Sequence, residues 1–469
     1  MTRRSTMPEM VGGVTPRREA SSPAVTPGSS RTRKRTRSWA VVRPISAHAR
    51  KRRGSNRLTV SPKSRIAAST ALSDAGGDCT GRLECRSSVR RELYHRRRLA
   101  SSPAGAGILG VMALDLDPGT AALGNPRLIA AIVAEMDGGA IPFQRFMELA
   151  LYHPEHGYYR KRGRIGRQGD FLTSPVIHPM FGWAVAGWCR EAWERLGRPS
   201  PFTIFEPGAG EGHLARAVLD WAEGRDPAFA AAIRYIALEP NSPGDDPRVS
   251  WQTPPAAPAE AGVVVANELF DAFPVRLFEA TPRGPAEVYV RWDGEQFVEE
   301  RGPIATIDDA PAEGRFEVNP AAYPAMASLC GLVERGAVLV FDYGYPQEEL
   351  WAPWRTQGTL LCFYRHTAHE NPYIHVGEQD LTAHVNLSEL LAAIDDAGMQ
   401  AWGPVSQREF LYSLGLPGLV EAARGDLQEY FTRRRALEQL TDGAGLGRIR
   451  VIAGTRGIEG APPGFEPLP

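Results

Sequence analysis

Lysine is nearly missing from this 469-residue chain: four lysines stand among 54 basic residues, and the rest are arginine. Cysteine is scarce as well, with five in all. Cys79 and Cys85 lie in the arginine-rich N-terminal stretch, and Cys189, Cys330 and Cys362 are scattered at spacings that fit no zinc motif. This pattern excludes a disulfide framework and suits a reducing compartment, so a cytoplasmic location is expected. No apolar run approaches the ~18 residues a spanning helix needs, and no short hydrophobic signal opens the chain. Neither a membrane span nor secretion is expected.

Net charge is also missing, but the balance is uneven. Residues 1–100 carry 24 Lys and Arg against 6 Asp and Glu, which leaves 30 against 48 for residues 101–469. The first hundred residues are rich in Arg, Ser, Thr and Pro and lack a sustained apolar period, so they cannot bury enough surface to offset the entropy of ordering. They read as a disordered basic tail. Such a tail suits nucleic acid or another acidic partner, or targeting, although Pro8, Glu9, Pro16 and Glu19 argue against an amphipathic transit helix. A third reading gives the tail no function: the arginine excess looks like coding bias, and Met112 offers an internal start. The expected division is a tail at 1–111, a helical preface and lid at 112–200, a core at 201–457 with an insert at about 355–390, and a flexible end at 458–469.

With 43% hydrophobic residues, the remainder can form a packed core. Residues 125–151 read as two helices around a Gly-Gly break, the second with Pro142 near its first turn. "MFGWAVAGWCREAWERLG" reads as a helix ended by Gly197. Strand and helix patterns then alternate. "FTIFE" runs into "HLARAVLDWAEG", "RYIALEP" ends at Glu239, and "AGVVVANELFDAFP" and "GAVLVFDYGYP" follow as buried runs. "REFLYSLGL" and "RIRVIAGTRG" read as two late strands, separated by a helix over "GLVEAARGDLQEYFTRRRALEQL". This alternation predicts a mostly parallel sheet with ligands at the carboxyl ends of its strands.

The stretch "FEPGAGEG", residues 205–212, joins the first of these strands to its helix. Glycines there let the backbone turn tightly and approach a ligand. A P-loop would need a following Lys, which is absent. A dinucleotide site would want G-x-G-x-x-G, and Glu211 inside the loop would repel a pyrophosphate. S-adenosylmethionine carries no phosphate and bears a sulfonium cation, so Glu206 and Glu211 beside the glycines are tolerable or favourable. Glu239 at the next strand end suits ribose hydroxyls. A plain strand-to-helix turn is the competing reading.

Six motifs, "MELALYHPEHGYY", "GDFLTSP", "FEPGAGEG", "VVANELFDAFPV", "FDYGYP" and "GEQDLTAHVN", occur in the order and nearly the wording of the MidA-like methyltransferase family, which the chain resembles from about residue 125 to 457. The resemblance implies an α/β fold with a Rossmann-like class I methyltransferase core and a mostly parallel sheet, preceded by a helical preface and carrying a family-specific insert. It implies S-adenosyl-L-methionine as cofactor. The expected cofactor residues are Glu206, Gly208, Gly210, Gly212 and Glu239, with Gly169, Asp170, Phe171 and Thr173 closing over the site. Asn267, Glu268 and Asp271 would sit after the fourth core strand. Asp380, Thr382, His384 and Asn386 would belong to an insert beside it. Mitochondrial members of the family are complex I assembly factors that methylate an arginine, so a protein substrate of respiratory-chain type is the implied partner.

A guanidinium acceptor stays protonated and needs paired acceptors to hold it. Glu268 and Asp271, three apart, are the candidate catalytic pair, with Asn267 beside them; capping of a helix N-terminus is the bland alternative. His366, His369 and His375 cluster in sequence at spacings unlike a zinc site, so no metal is expected. The Tyr and Arg interleaved in "LYHPEHGYYRKRGRIGR" look like a nucleic-acid surface, yet they coincide with a family motif, and nucleic acid is not expected for the folded part. The chain departs from the family wording at Val176, where a carboxylate is lost, and at Ala209 and Glu211, where Pro and Arg are usual. The expected function is therefore methyl transfer, with arginine of a protein as acceptor. A non-catalytic scaffold or a small-molecule methyltransferase are the alternatives.

Overall fold

The computed structural model describes residues 123–160, 172–240, 244–254 and 256–466. The expectations for the tail at 1–111 and for Gly169, Asp170 and Phe171 lie outside the described residues.

Seven strands form the central sheet: β1 Phe202–Pro207, β2 Ile233–Leu238, β3 Val249–Gln252, β4 Ala259–Asn267, β5 Val333–Asp342, β6 Gln400–Ser406 and β7 Arg450–Arg456. Their spatial order is β3-β2-β1-β4-β5-β7-β6. β1 to β5 are mutually parallel, whereas β7 runs antiparallel to both β5 and β6. The order reverses between β1 and β4, where a crevice opens at the carboxyl edge of a doubly wound sheet. The sheet is the one expected of a Rossmann-like transferase core. Its third strand, "VSWQ", is too short to have been read from periodicity.

The buried runs of the sequence explain the layers. In β4, Val263 and Val265 face one side and Val264 and Ala266 the other, so both faces are apolar. One face packs on helices α3 Met180–Arg195, α4 His213–Arg225, α7 Gln407–Ser413 and α8 Leu427–Leu440; the other packs on α5 Ala322–Cys330 and α6 Leu387–Asp396. Gly182 in α3 lets that helix close on α4, where an added Cβ would meet the Ala217 methyl at 2.4 Å.

An accessory layer carries a third core. Helices α1 Pro126–Met136 and α2 Phe143–Tyr152 pack with Leu277, Val290, Cys362 and Leu381 from two small antiparallel sheets. One sheet holds 140–142, 276–279, 286–292, 297–304 and 315–318; the other holds 361–364, 367–369 and 380–382. The first is a second interruption of the core, between β4 and β5, beyond the insert expected at 355–390. The expected helical break at Gly138–Gly139 is in fact followed by the short strand 140–142.

One element corrects the sequence reading. "REFLYSLGL" is helical: Ser406 caps α7, its side chain accepting from the Glu409 N–H while Glu409 reaches back to the Ser406 N–H. This reciprocal cap outweighs the apolar run, and the strand lies just before it as β6. The long helix expected over residues 418–440 is two, 416–421 and α8, the second restarted by Asp426 as N-cap. No helix among the described residues is long and apolar enough to cross a membrane.

Candidate active site

The glycine loop turns out of β1 with Gly208, Gly210 and Gly212 all at positive φ, +71°, +52° and +76°. Only glycine enters this region without strain. The three are walled differently. An added Cβ on Gly212 would strike the Trp251 ring at 2.9 Å, and one on Gly208 would press on Leu269 at 3.1 Å, but one on Gly210 would enter open space. Gly210 is thus the point where backbone faces a vacant approach. Its N–H donates to a Glu239 carboxylate oxygen at 3.1 Å, so the loop and the end of β2 are fastened together.

Glu206 and Glu211 take other places. Glu206 is buried, receives the Tyr235 hydroxyl at 2.7 Å and caps a backbone N–H at Ala215. Burial pushes its carboxyl up to about 8 against those hydrogen bonds. It braces the loop from beneath. Glu211 is exposed and lies 3.7 Å from His213. Thr173 is buried at the start of the turn 174–177.

The second half of the site is the loop after β4. Glu268 sits at φ +49°, a strained conformation for a residue with a Cβ and one that accumulates at functional positions. Its backbone N–H donates to the Phe341 carbonyl at 2.8 Å. Its carboxylate accepts from Asn267 Nδ2 at 3.1 Å and the Ser174 N–H at 3.3 Å. Asn267 Oδ1 is buried and has no hydrogen-bond partner among the described residues. Asp342, fully buried at the end of β5, accepts the N–H groups of Leu269 at 3.1 Å, Phe270 at 2.8 Å and Tyr343 at 2.9 Å, and so fixes the loop's path.

Asp271 follows in the same loop, 7% exposed. The accessory layer supplies Asp380, which accepts the Tyr159 hydroxyl at 2.8 Å. Tyr152 stacks on Tyr159 with ring centroids 5.4 Å apart and donates to the Ala272 carbonyl at 2.9 Å. Burial raises the Tyr152 phenol well above its usual range, and the charges of Asp380, Asp271 and Glu239 raise it further, which sets this one side chain between the loop after β4 and the loop after β2. Asp342, Asp380, Tyr152 and Tyr159 were not singled out as a group from sequence; they converge only through the fold.

The electrostatics are one-sided. Burial lifts Glu268 to about 8, opposed by the Asn267 and Ser174 hydrogen bonds, and the charges of Asp342 and Asp380 add to the rise. Asp271 is raised by burial and then by Asp342, Glu268 and Asp380. Asp342 is raised to about 7 by burial, against four backbone hydrogen bonds. Burial thus holds several carboxyls above their usual range at one site, where a bound positive charge would favour their ionised forms.

The remaining expected residues support the surroundings. Asn386 caps α6 by accepting from the Ser388 N–H at 3.1 Å, and Thr382 donates to the Leu361 carbonyl. His384 lies between Tyr343 and Tyr345, with ring centroids at 6.3 and 5.3 Å. His375 stacks on Tyr364 at 3.9 Å with His369 at 6.3 Å. Among the described residues, no group of three His, Cys, Asp or Glu side chains comes close enough to hold a metal ion.

The residues present fit S-adenosylmethionine: an open approach over Gly210, a carboxylate at the end of β2 and an unpartnered acceptor at Asn267 suit a phosphate-free, cationic nucleoside. A family model described as S-adenosyl-L-methionine-dependent methyltransferase matches residues 184–405. The "Protein arginine methyltransferase NDUFAF7 homolog, mitochondrial" of Drosophila melanogaster is 30% identical over 370 residues, 68% of this chain and 82% of the relative. The Mus musculus protein arginine methyltransferase NDUFAF7, mitochondrial, is 29% identical over 321 residues, 59% of this chain and 71% of the relative. A Burkholderia thailandensis crystal structure bound to S-adenosyl-homocysteine is 34% identical with TM-score 0.65, covering 72% of this chain and 94% of that one.

Proposed function

The chain belongs to the MidA-like family of S-adenosylmethionine-dependent methyltransferases, and from that premise we propose that its methyl acceptor is an arginine side chain of a protein. It is an enzyme, and S-adenosylmethionine is its cofactor. The observation that carries the acceptor reading is the group of carboxyls Glu268, Asp271 and Asp342 beside the glycine loop, each raised by burial, with the charge of Asp380 adding to the rise at Glu268 and Asp271.

When bound, the cofactor supplies an electrophilic methyl group. Gly208, Gly210, Gly212, Glu239 and Asn267 would hold it, with Glu206 bracing the loop; Thr173, with Gly169 and Asp170 of the same motif, would be further cofactor contacts. The chain's other residues act on the acceptor. Glu268 and Asp271 hold the guanidinium, whose charge draws their raised carboxyls into the ionised form. The nitrogen that gains the methyl group loses a proton, and Glu268 accepts it. Asp342 positions both through the Leu269 and Phe270 N–H groups. Holding the acceptor in one geometry contributes up to about 7–11 kcal/mol to such a transfer.

In this reading residues 201–457 form the transferase core and the segments before it supply the preface and lid. The protein partner is of respiratory-chain subunit type, as the family resemblance implies. Both relatives are named as mitochondrial; for this chain, the buried free thiols of Cys189, Cys330 and Cys362 favour a reducing compartment, the cytoplasm in our reading.

The test is incubation of the full chain with methyl-labelled S-adenosylmethionine and an arginine-containing protein extract, followed by peptide mass spectrometry. Label on arginine side-chain nitrogens, lost in Glu268→Gln and Asp271→Asn, supports the reading. Label confined to lysine or to small molecules overturns it.

A further inference from the structure

Beside the acidic site stands a group of arginines that close no ion pair among the described residues, although the Arg450 charge acts on Glu409. Tyr345 follows three residues after Asp342 at the carboxyl edge of the sheet. Its hydroxyl accepts from Arg448 Nη2 at 3.0 Å, and the Arg355 and Arg450 guanidinium carbons lie 4.7 and 5.8 Å from its ring centre. The Arg355 guanidinium carbon also lies 4.6 Å from the Trp354 ring centre. Trp354 is 72% exposed, so the group reaches the surface.

These three arginines differ from others in the chain. Arg145, Arg190, Arg248, Arg276 and Arg315 each close on a carboxylate at 2.6–2.8 Å. Arg355, Arg448 and Arg450 have no carboxylate within ion-pair reach among the described residues, and Arg450 Nε is buried with no hydrogen-bond partner at all. A buried, unmatched donor on a cation is costly unless an acceptor arrives from outside. Burial raises the Tyr345 phenol, but the Arg448 hydrogen bond and the Arg448 and Arg355 charges outweigh it and hold it below its ordinary value.

The position relative to the acceptor site is fixed by the sheet. Arg450 begins β7 directly opposite Asp342, the two being register partners across β5 and β7. Tyr343 and His384 connect the halves: Tyr343 is acted on by the Glu268, Asp271 and Asp342 charges and also by Arg448, and His384 packs between Tyr343 and Tyr345. Carboxylates on one side and guanidiniums on the other form a dipolar surface.

We propose that Arg355, Arg448 and Arg450 around Tyr345 bind a carboxylate side chain of the substrate polypeptide, close to the arginine that enters the Glu268–Asp271 site. This rests on the reading of a protein arginine as acceptor. The planar guanidinium forks suit a carboxylate, and the Tyr345 and Trp354 rings lie against Arg355. The enzyme would then select arginines flanked by Asp or Glu.

The experiment has three arms, all on the full chain. The first offers a peptide library with a fixed central arginine and varied flanks, and reads the methylated members. Enrichment of Asp or Glu near the arginine, abolished in Arg448→Ala and Arg355→Ala and partly restored in Arg448→Lys, is expected; methylated peptides without acidic enrichment overturn the proposal. The second arm measures binding of a fluorescent oligoglutamate peptide carrying one arginine against its glutamine counterpart, a readout that needs no turnover. Roughly tenfold tighter binding of the acidic peptide, lost in the variants, is expected for one charge-assisted contact. Equal binding overturns the proposal, whereas acidic preference with no methylated arginine in the first arm overturns the acceptor reading instead. The third arm titrates S-adenosyl-homocysteine. Unchanged affinity in the variants is expected, and a matching loss would assign these arginines to the cofactor's own carboxylate and overturn the proposal.

Discussion

The Gly210 N–H donates to the Glu239 carboxylate at 3.1 Å, tying the first glycine loop of the sheet to the end of its neighbouring strand. An added Cβ at Gly210 meets nothing within 4 Å, while the backbone there is at φ +52°. Gly210→Ala therefore costs about 1–2 kcal/mol of backbone strain without a clash, and the fold survives it. Its methyl group stands in the approach to the loop. We expect S-adenosyl-homocysteine affinity, measured by calorimetry, to fall at least roughly tenfold in Gly210→Ala and further in Gly210→Val, and Glu239→Ala to weaken it as well. Retained affinity in Gly210→Val would show that the loop is not the cofactor cradle.

In the proposed mechanism Glu268 and Asp271 act after the cofactor has bound, so their removal is expected to separate binding from turnover. Glu268→Gln keeps the size of the side chain and the acceptor that meets the Ser174 N–H, and loses only the proton-accepting charge. A kcat loss of about 10²–10⁴ is expected, with cofactor affinity within about twofold of wild type. Asp271→Asn should act mainly on KM for the protein acceptor. If both variants retain wild-type kcat and KM, the acceptor site lies elsewhere.

The pH dependence follows from the same carboxylates. Glu268 is raised to about 8 and Asp342 to about 7, so in the free enzyme Glu268 is mainly protonated near neutral pH and Asp342 about half so. The apparent value belongs to the cluster as a whole. Since the ionised form is needed, kcat/KM should rise by about tenfold per pH unit below the apparent value and level off above about 8. The Glu268→Gln variant should lose most of this limb. A wild-type profile flat between pH 6 and 8.5, to about twofold, would remove Glu268 from proton transfer.

What the sequence made legible was whatever is local. The glycine loop, Glu239 and the Asn-Glu-Leu-Phe-Asp loop each sit where a strand pattern meets a helix or turn, and the structure places them at one edge of the sheet. Asp380 was legible as part of an insert beside the site, but its meeting with Tyr152 and Tyr159 was not, because Tyr159 bonds to Asp380 and Tyr152 to Ala272 across more than a hundred residues of chain. Asp342 was visible only as the end of a strand; its hold on Leu269 and Phe270 exists only once β4 and β5 lie side by side. "REFLYSLGL" failed for a different reason. Short apolar runs fit helix and strand alike, and the deciding signal, Ser406 three residues ahead of Glu409, was present but outweighed by the expectation of a final strand pair. The arginines around Tyr345 come from two distant stretches, 355 and 448–450, and no spacing rule joins them.

Glu206 gives a stability prediction independent of catalysis. Its carboxyl is buried against the Tyr235 hydroxyl at 2.7 Å, and burial raises its pKa from 4.5 to about 8. Between these values the folded chain keeps a proton that the unfolded chain releases. The unfolded state then binds fewer protons than the native state, so stability falls as pH rises. The contribution is fully present below about 4.5 and is lost as pH climbs through about 8. Glu206→Gln keeps the hydrogen-bond acceptor for Tyr235 and removes the titration. Denaturant midpoints at pH 5 and pH 8 should therefore differ less in Glu206→Gln than in wild type, with the variant gaining relative stability at the higher pH. Parallel pH dependence in the two proteins would mean that Glu206 is ionised in the fold, and the loop would then rest on a buried charge instead of a neutral brace.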